Sequence, residues 1–560
     1  MHRQAGLESL PASQQINSSR QDSCWVSRGI LFGFAVVALG LRLWVSHHLY
    51  VVSNDSAGVY LYQAQEILDG NWHDGLSTVF PPGYAVLVSL VALLHLSLEE
   101  AGKLVSVLCG GLLVIPVFLL GRRVYGVREA WVATVLTTID PTLIGASRDA
   151  VSEAPFTLVL ILTALAGERL IQAGSVAWAL VTGALFGLGY LIRPEAIGFL
   201  SVLVAVTATA RAWRSEGSGL ARKTRGQLPW LGCVVAGFLL VALPYLVFLR
   251  VQTGGWGLTG KTMLNLLAHD VTESGERVDY ERARYALAPD GHHLQIETDA
   301  QQNALLFVWQ SRARQIKKYF RNASAALLKS LPQVINPIFW LLSLAALSWG
   351  RRPSNRYRRD LYLGSYFVFP LVFYPFFWIE PRYFVPLVPI AIIWASHGLT
   401  LIDEMMAAPG TTSARRSTGP RGFLIPAMIL IISMAAWPVF GMLRGKPSDY
   451  PLEHKEAGQY LRDHGRPHAR IMSRKAFTAF YAGGVPVALP FGSLEEVLAY
   501  ADWMKVDYLV VDERYTATLR PDLRALLDEA KHPKGLTEIY SMNAGAGRRL
   551  VIFDLHPPAH

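Results

Sequence analysis

Residues 82–98 read PGYAVLVSLVALLHLSL, and whether this apolar run crosses a membrane decides the sidedness of everything after it. It opens on a Pro-Pro-Gly turn and contains His95. The runs around it have about twenty residues, the length needed to cross a hydrocarbon core of roughly 30 Å. They predict spans at 29–46, 101–121, 129–146, 154–172, 176–193, 195–211, 228–250, 326–349, 361–379, 383–402 and 423–443. If 82–98 does not span, the loops on the N-terminal side are 121–129, 167–175, 211–227, 350–360 and 403–421. These are rich in arginine: Arg122, Arg123 and Arg128 in the first, Arg351, Arg352, Arg356, Arg358 and Arg359 in the fourth. Loop 51–80, on the other face, has no Lys or Arg and four acids. This is a positive-inside pattern, and a spanning 82–98 would destroy it. The run therefore reads as a juxtamembrane or re-entrant helix on the outer face.

The fold class that follows is a polytopic α-helical membrane protein of eleven spans, with a small α/β domain at its C-terminal end. Residues 1–28 form a cytoplasmic tail, 29–443 a transmembrane domain with outer loops 47–100 and 253–325, and 444–560 an extracytoplasmic domain. The first run lacks a clear cleavage site and reads as a retained span. In the tail, SDYPLEHKEAGQYLRDHG predicts an amphipathic helix, SLEEVLAYADWMKVDYLVVDE a helix and buried strand, and RRLVIFDL another strand. Composition agrees: 52% of residues are hydrophobic and 17% charged, against about 25% charged in soluble domains. The net charge of +10 lies mostly in loops, where it orients the chain rather than binding nucleic acid. Cys24, Cys109 and Cys233 are far apart and suggest neither a disulfide framework nor a metal knuckle.

Charged residues at the outer ends of spans form a small, ordered set: Asp55; Arg148, Asp149 and Glu153; Arg193 and Glu195; Glu380 and Arg382. Any one pair could be an interfacial anchor, and Asp55 could be a helix N-cap. Their collection on one face favours a shared site. A carboxylate at Asp55 suits a general base toward a hydroxyl, and Glu153, oriented by Arg148, is a second carboxylate for acceptor or metal. Arg193 and Arg382 could clamp a phosphate with planar bidentate donors, with Lys261 joining them. The basic segment QSRARQIKKYFR, 310–321, reads as an interfacial helix holding anionic headgroups. No Walker loop, dinucleotide fingerprint or HExxH motif is present.

In chain order, the acid Asp55 is followed by YQAQEILDG from Tyr62, FPPGY from Phe80, SRDAVSE from Ser147, LIRPE from Leu191 and PRYFVPLVP from Pro381. This series resembles the GT-C membrane glycosyltransferases, above all the protein O-mannosyltransferase and lipid A aminoarabinose transferase (ArnT-like) relatives, over roughly residues 29–400. The resemblance implies an inverting transfer of one sugar from a polyprenyl-monophosphate donor to a lipid, glycan or protein acceptor, at the outer face of a bacterial inner (plasma) membrane. It makes Asp55 and Glu153 the catalytic acids. It makes Arg382 and Tyr383 the phosphate contact; Arg148, Asp149, Arg193, Glu195 and Lys261, from the charged set above, complete the candidate substrate-binding residues. Asp55 is followed by Ser56, where protein mannosyltransferases carry an Asp-Glu pair, which puts a protein acceptor in doubt. No His/Asp cluster compels a metal; since metal use varies across the superfamily, a divalent cation is the one cofactor left open. The competing class is a flippase or transporter of lipid-linked sugars. That class places ionisable groups near the bilayer midplane, whereas here the middles of the spans read as nearly free of charge.

Overall fold

The computed structural model describes residues 12–214, 228–260, 266, 277–296, 304–348, 354–377, 379–406, 424–533, 536–545 and 547–556. Helix occupies most of every predicted span. Among the described residues, six helices are long and apolar enough to cross a membrane: Ser27–His47, Leu98–Val124, Glu153–Ala173, Pro229–Thr253, Pro381–Met406 and Leu424–Leu443. A seventh arises if the bent pair Arg312–Val334 and Pro337–Ser348 is one span.

The shortfall from eleven has local causes. Val176–Ile192 and Ala196–Thr209 are apolar but shorter. The stretch 129–146 is divided into Val127–Ile139 and Pro141–Ser147. Asp140 stands at the break, and its carboxylate accepts from Leu143 N at 2.9 Å to start the second helix. The stretch 326–349 is not one straight helix: its axis turns by 107° at Asn336-Pro337, where proline offers no N–H and disfavours helix in the residue before it.

The run 82–98 forms a ten-residue helix, Gly83–Ala92, about 15 Å long and half a hydrocarbon core. It ends before His95, which has positive φ (63°), and Ser97 then opens Leu98–Leu112 with a reciprocal capping box to Glu100. The short helix is seated by Tyr84, whose hydroxyl donates to Gly102 O at 2.9 Å. Gly83 sits so close to the neighbouring chain that a Cβ there would stand 2.5 Å from Leu191 O. Gly83→Ala is therefore expected to push the helix off its seat and cost about 1–3 kcal/mol of overpacking, read as a lower melting temperature in detergent.

Small residues set the bundle packing. A Cβ at Gly183 would lie 2.0 Å from Val234 O, so Val176–Ile192 and Leu228–Thr253 touch backbone to backbone. Pro381–Met406 is 89% buried, against 17% for Leu424–Leu443, which puts the first at the centre of the bundle and the second on its rim. Arg42, like Asp140, is a charge inside a predicted span, against expectation. Arg42 is fully buried, and its Nη atoms donate to Ala38 O, Thr138 O (both 3.2 Å) and Thr137 O (3.0 Å). The guanidinium thus satisfies carbonyls left open at the C-terminal end of Val127–Ile139.

The C-terminal residues carry a five-stranded sheet: β1 (Arg470–Ser473), β2 (Val485–Ala488), β3 (Tyr508–Asp512), β4 (Thr537–Asn543) and β5 (Arg549–Asp554), in the order β2-β1-β3-β5-β4. β1 pairs in parallel with β2 and β3, and β5 is antiparallel to β3 and β4. Period-two alternation sends Tyr508, Val510, Leu550 and Ile552 to one face, against Ala457 and Leu461 of helix Leu452–His464. Leu509, Val511, Val551 and Phe553 face the other way, against Val497 and Tyr500 of helix Leu494–Trp503. With both faces covered, β3 is buried throughout. Sequence reading found both helices, β3 and β5, and missed the four-residue strands β1 and β2 and the seven-residue edge strand β4.

The C-terminal residues press on loop 47–100. Phe477, Tyr450 and Tyr481 pack with Val51, Val52 and Ala57, and the Ala476 N–H donates to Asn54 Oδ1 at 3.0 Å. Helix Arg277–Tyr285 joins the same assembly through buried Glu281, which pairs with Arg474 and Arg520.

Candidate active site

Asp55 stands at the mouth of a π-helical turn, Ser56–Tyr60, that leads into helix Leu61–Leu68. Its carboxylate makes no cap to that turn; Ser53 Oγ accepts from Ser56 N at 3.3 Å instead. The N-cap reading of Asp55 is thus replaced by an ion pair: Arg382 Nη1 lies 2.6 Å from Asp55 Oδ2. Arg382 comes from the 3₁₀ segment Pro381–Leu387 at the head of the central helix. Its Nε meets Glu380 at 2.6 Å, and its Nη1 approaches Glu153 Oε1 at 4.0 Å.

Glu153 is the first residue of helix Glu153–Ala173 and is buried. Its partner is Arg193 Nη1 at 3.2 Å. Among the described residues no ion pair joins it to Arg148, which corrects the orienting role expected of that arginine. Glu153 Oε2 is buried with no hydrogen-bond partner among the described residues, an acceptor position left unfilled. Arg193, at the extended end of helix Val176–Ile192, also has Glu195 at 3.7 Å from its Nε. The Tyr383 ring lies under both guanidiniums, 5.8 Å from each. Four carboxylates, Asp55, Glu153, Glu195 and Glu380, thus converge on two guanidiniums.

Asp149 lies beside this centre and also braces its loops. Its carboxylate accepts from Ser53 N (3.0 Å), Ser56 Oγ (3.1 Å) and Ala150 N (2.7 Å), tying the two acidic loops together. Burial raises its proton affinity against these hydrogen bonds. Sequence reasoning missed Tyr60, whose hydroxyl pairs with Ser152 Oγ at 2.9 Å. Burial, then Glu153, pushes that phenol up to about 12, so it stays neutral. Its signal in the sequence was only its place five residues after Asp55. Lys261 lies outside the described residues.

Two cavities flank the charged centre. An apolar groove of about 470 Å³ runs between helices Ala196–Arg214 and Ser354–Phe373 and is lined by Ile197, Val202, Phe369, Phe373 and, at its charged end, Glu195 and Tyr383. A second cavity of about 480 Å³ is lined by Arg148, Asp149, Glu153, Arg382, Tyr450 and Phe477. The last two belong to the C-terminal domain, so that domain walls the site.

Residues 80–248 match the family described as dolichyl-phosphate-mannose-protein mannosyltransferase. No curated protein matches the chain. Among solved structures, ArnT from Cupriavidus metallidurans bound to undecaprenyl phosphate is similar at a TM-score of 0.59 and 15% identity, over 95% of this chain and 98% of that one. The apo state of the same protein gives 0.58 at 15% identity with the same coverage. An oligosaccharyltransferase from Archaeoglobus fulgidus, tethered with an acceptor peptide, gives 0.49 at 14%, over 88% of this chain and 70% of that one. Over nearly the whole chain the fold is thus that of ArnT, and residues 80–248 carry the match to the dolichyl-phosphate-mannose-protein mannosyltransferase family.

Proposed function

We propose that the protein transfers one sugar, with inversion, from a polyprenyl-monophosphate donor to an acceptor at the outer face of a bacterial inner membrane. In this reading all eleven predicted segments cross or enter the bilayer, and residues 444–560 are extracytoplasmic. The observation that carries it is the placement of one ion-paired centre between an apolar groove and a polar cavity: Glu195 and Tyr383 face the groove, Glu153 and Arg382 the cavity. The groove suits an isoprenoid, and ArnT, whose fold the chain has, binds undecaprenyl phosphate.

The donor phosphate rests against Arg382 and Arg193. The acceptor hydroxyl enters from the cavity, is oriented by the open Glu153 Oε2, and gives its proton to Asp55 as its oxygen attacks the anomeric carbon. The bond from that carbon to the phosphate oxygen breaks, and lipid phosphate leaves with the electron pair, stabilised by the guanidiniums. The excess of carboxylates over arginines favours the positive charge that develops on the sugar ring. Ser56, where protein mannosyltransferases carry the second acid of their pair, donates to Asp149 and adds no second carboxylate, so a lipid or glycan acceptor is favoured over protein.

Among the described residues no three His, Cys, Asp or Glu side chains are grouped to hold a metal ion, and no step is drawn through one. EDTA treatment tests the divalent cation directly, since loss of turnover would bring it in.

The deciding experiment incubates purified protein with a panel of polyprenyl-phosphate sugars and measures free lipid phosphate. Release with at least one donor is expected; none with any would favour the flippase. Contact between the domains adds a second test. Ala476→Pro deletes the N–H that holds Asn54 while keeping a backbone φ of −71° that proline accepts. It is expected to cost roughly 1 kcal/mol of stability, the contribution of one hydrogen bond, read as a slightly lower melting temperature, and to lower kcat if the C-terminal residues hold the Asp55 loop for catalysis.

A further inference from the structure

Helix Arg312–Ala325 carries five cations and no acid, and its residues sort into three stripes. Gln315, Lys318 and Asn322 are buried against the protein. Ile316 and Phe320 are 58% and 68% exposed, with Trp309 and Leu327 exposed on either side. Arg314, Lys317 and Arg321, at spacings of three and four, form an exposed basic stripe next to the apolar one. An apolar face beside a cationic face is the pattern of a helix lying in a membrane interface, its apolar side in the acyl boundary and its cations among headgroups.

The helix is also fastened to the groove. The Asn322 amide donates to Pro375 O at 3.0 Å and Phe377 O at 3.2 Å, and the Tyr319 ring packs on Phe376 at 4.7 Å. Tyr374 and Phe377 line the apolar groove, and Tyr374 packs on Tyr383 at 5.8 Å.

We propose that this helix binds anionic phospholipid headgroups through Arg314, Lys317 and Arg321, and that leaflet charge thereby holds the rim of the donor groove and sets donor affinity. Charge complementarity commits the surface to anionic lipid: no carboxylate on the helix competes, and each cation near an anionic leaflet adds about a fivefold preference. The lipid-binding half stands alone, while the effect on donor affinity rests on the transferase reading above.

The full chain is exchanged into vesicles of phosphatidylglycerol and phosphatidylcholine in equal amounts, and the lipid retained on extraction is analysed for wild type and for Lys317→Gln/Arg321→Gln. KM and kcat for the polyprenyl-phosphate sugar are measured in vesicles with and without phosphatidylglycerol. Wild type is expected to retain phosphatidylglycerol preferentially and to show a KM about fivefold lower in its presence. The variant should lose both effects with kcat and melting temperature unchanged. Equal enrichment in the two proteins would overturn the proposal and leave the apolar face to a protein neighbour. Enrichment lost with KM unaffected would overturn the link to the groove. Enrichment intact with no transfer in any lipid would strike the transferase reading alone.

Discussion

Asp55→Asn is expected to lower kcat at least about a hundredfold, the lower end of what a general base contributes, while folding and donor binding survive. The geometry separates the two effects. The Asp55 and Arg382 side chains are 38% and 42% exposed, and an ion pair that open to water contributes only about 0–1 kcal/mol to stability. Asparagine has the same shape and still offers Arg382 a carbonyl oxygen, so the arginine keeps its place. What the variant cannot do is accept a proton. The resting pair with Arg382 opposes base function, because a guanidinium at 2.6 Å favours the ionised carboxylate. In the proposed reaction the donor phosphate would relieve this by drawing Arg382 toward itself, freeing the base when the substrate to be attacked is in place. Turnover by lipid-phosphate release, donor affinity by calorimetry and the melting temperature together decide the matter. Near-normal turnover would remove Asp55 from the role.

The same residues show where sequence reasoning stops. The apolar runs were legible because a bilayer imposes a length on each, and the motif charges because they interrupt those runs at one face. Their pairing was not legible. Asp55 and Arg382 are 327 residues apart, and Asn54 and Ala476 are 422 apart; no local period reports contacts of that kind. Nearness in sequence was misleading for Glu153. Arg148, five residues away, caps the end of Pro141–Ser147 and lines the cavity, while the carboxylate faces Arg193 across the bundle. β1 and β2 have four residues each, too few for alternation to stand out, and Pro486 in β2 argued against a strand. Arg42 was a missed residue with a plain signal, a lone cation in an apolar run, as Asp140 was a lone acid in another. The carbonyl partners of Arg42 come from a helix end that only the break at Asp140 creates.

Arg193→Met is expected to be the most damaging single change to stability, because the group it strands is buried. Arg193 and Glu153 side chains are 10% and 8% exposed, with Phe156 and Tyr383 rings against the guanidinium. Removing the cation leaves the buried Glu153 carboxylate with Arg382, at 4.0 Å, as its remaining cationic neighbour, and breaking a buried pair in this way costs about 3–5 kcal/mol. Glu195, more exposed, can turn to water. Glu153→Gln alone should cost little stability, since Arg193 keeps Glu195, yet should lower turnover sharply by removing the carboxylate that orients the acceptor. The double variant Glu153→Gln/Arg193→Met is therefore expected to regain most of the stability lost by Arg193→Met, because no unpaired charge remains, and to stay inactive. This recovery is the coupling a double-mutant cycle isolates. Thermal unfolding in detergent and lipid-phosphate release measure the two quantities separately. A double variant no more stable than Arg193→Met would show that the arginine holds the bundle by packing on Phe156 and Tyr383 rather than by neutralising Glu153.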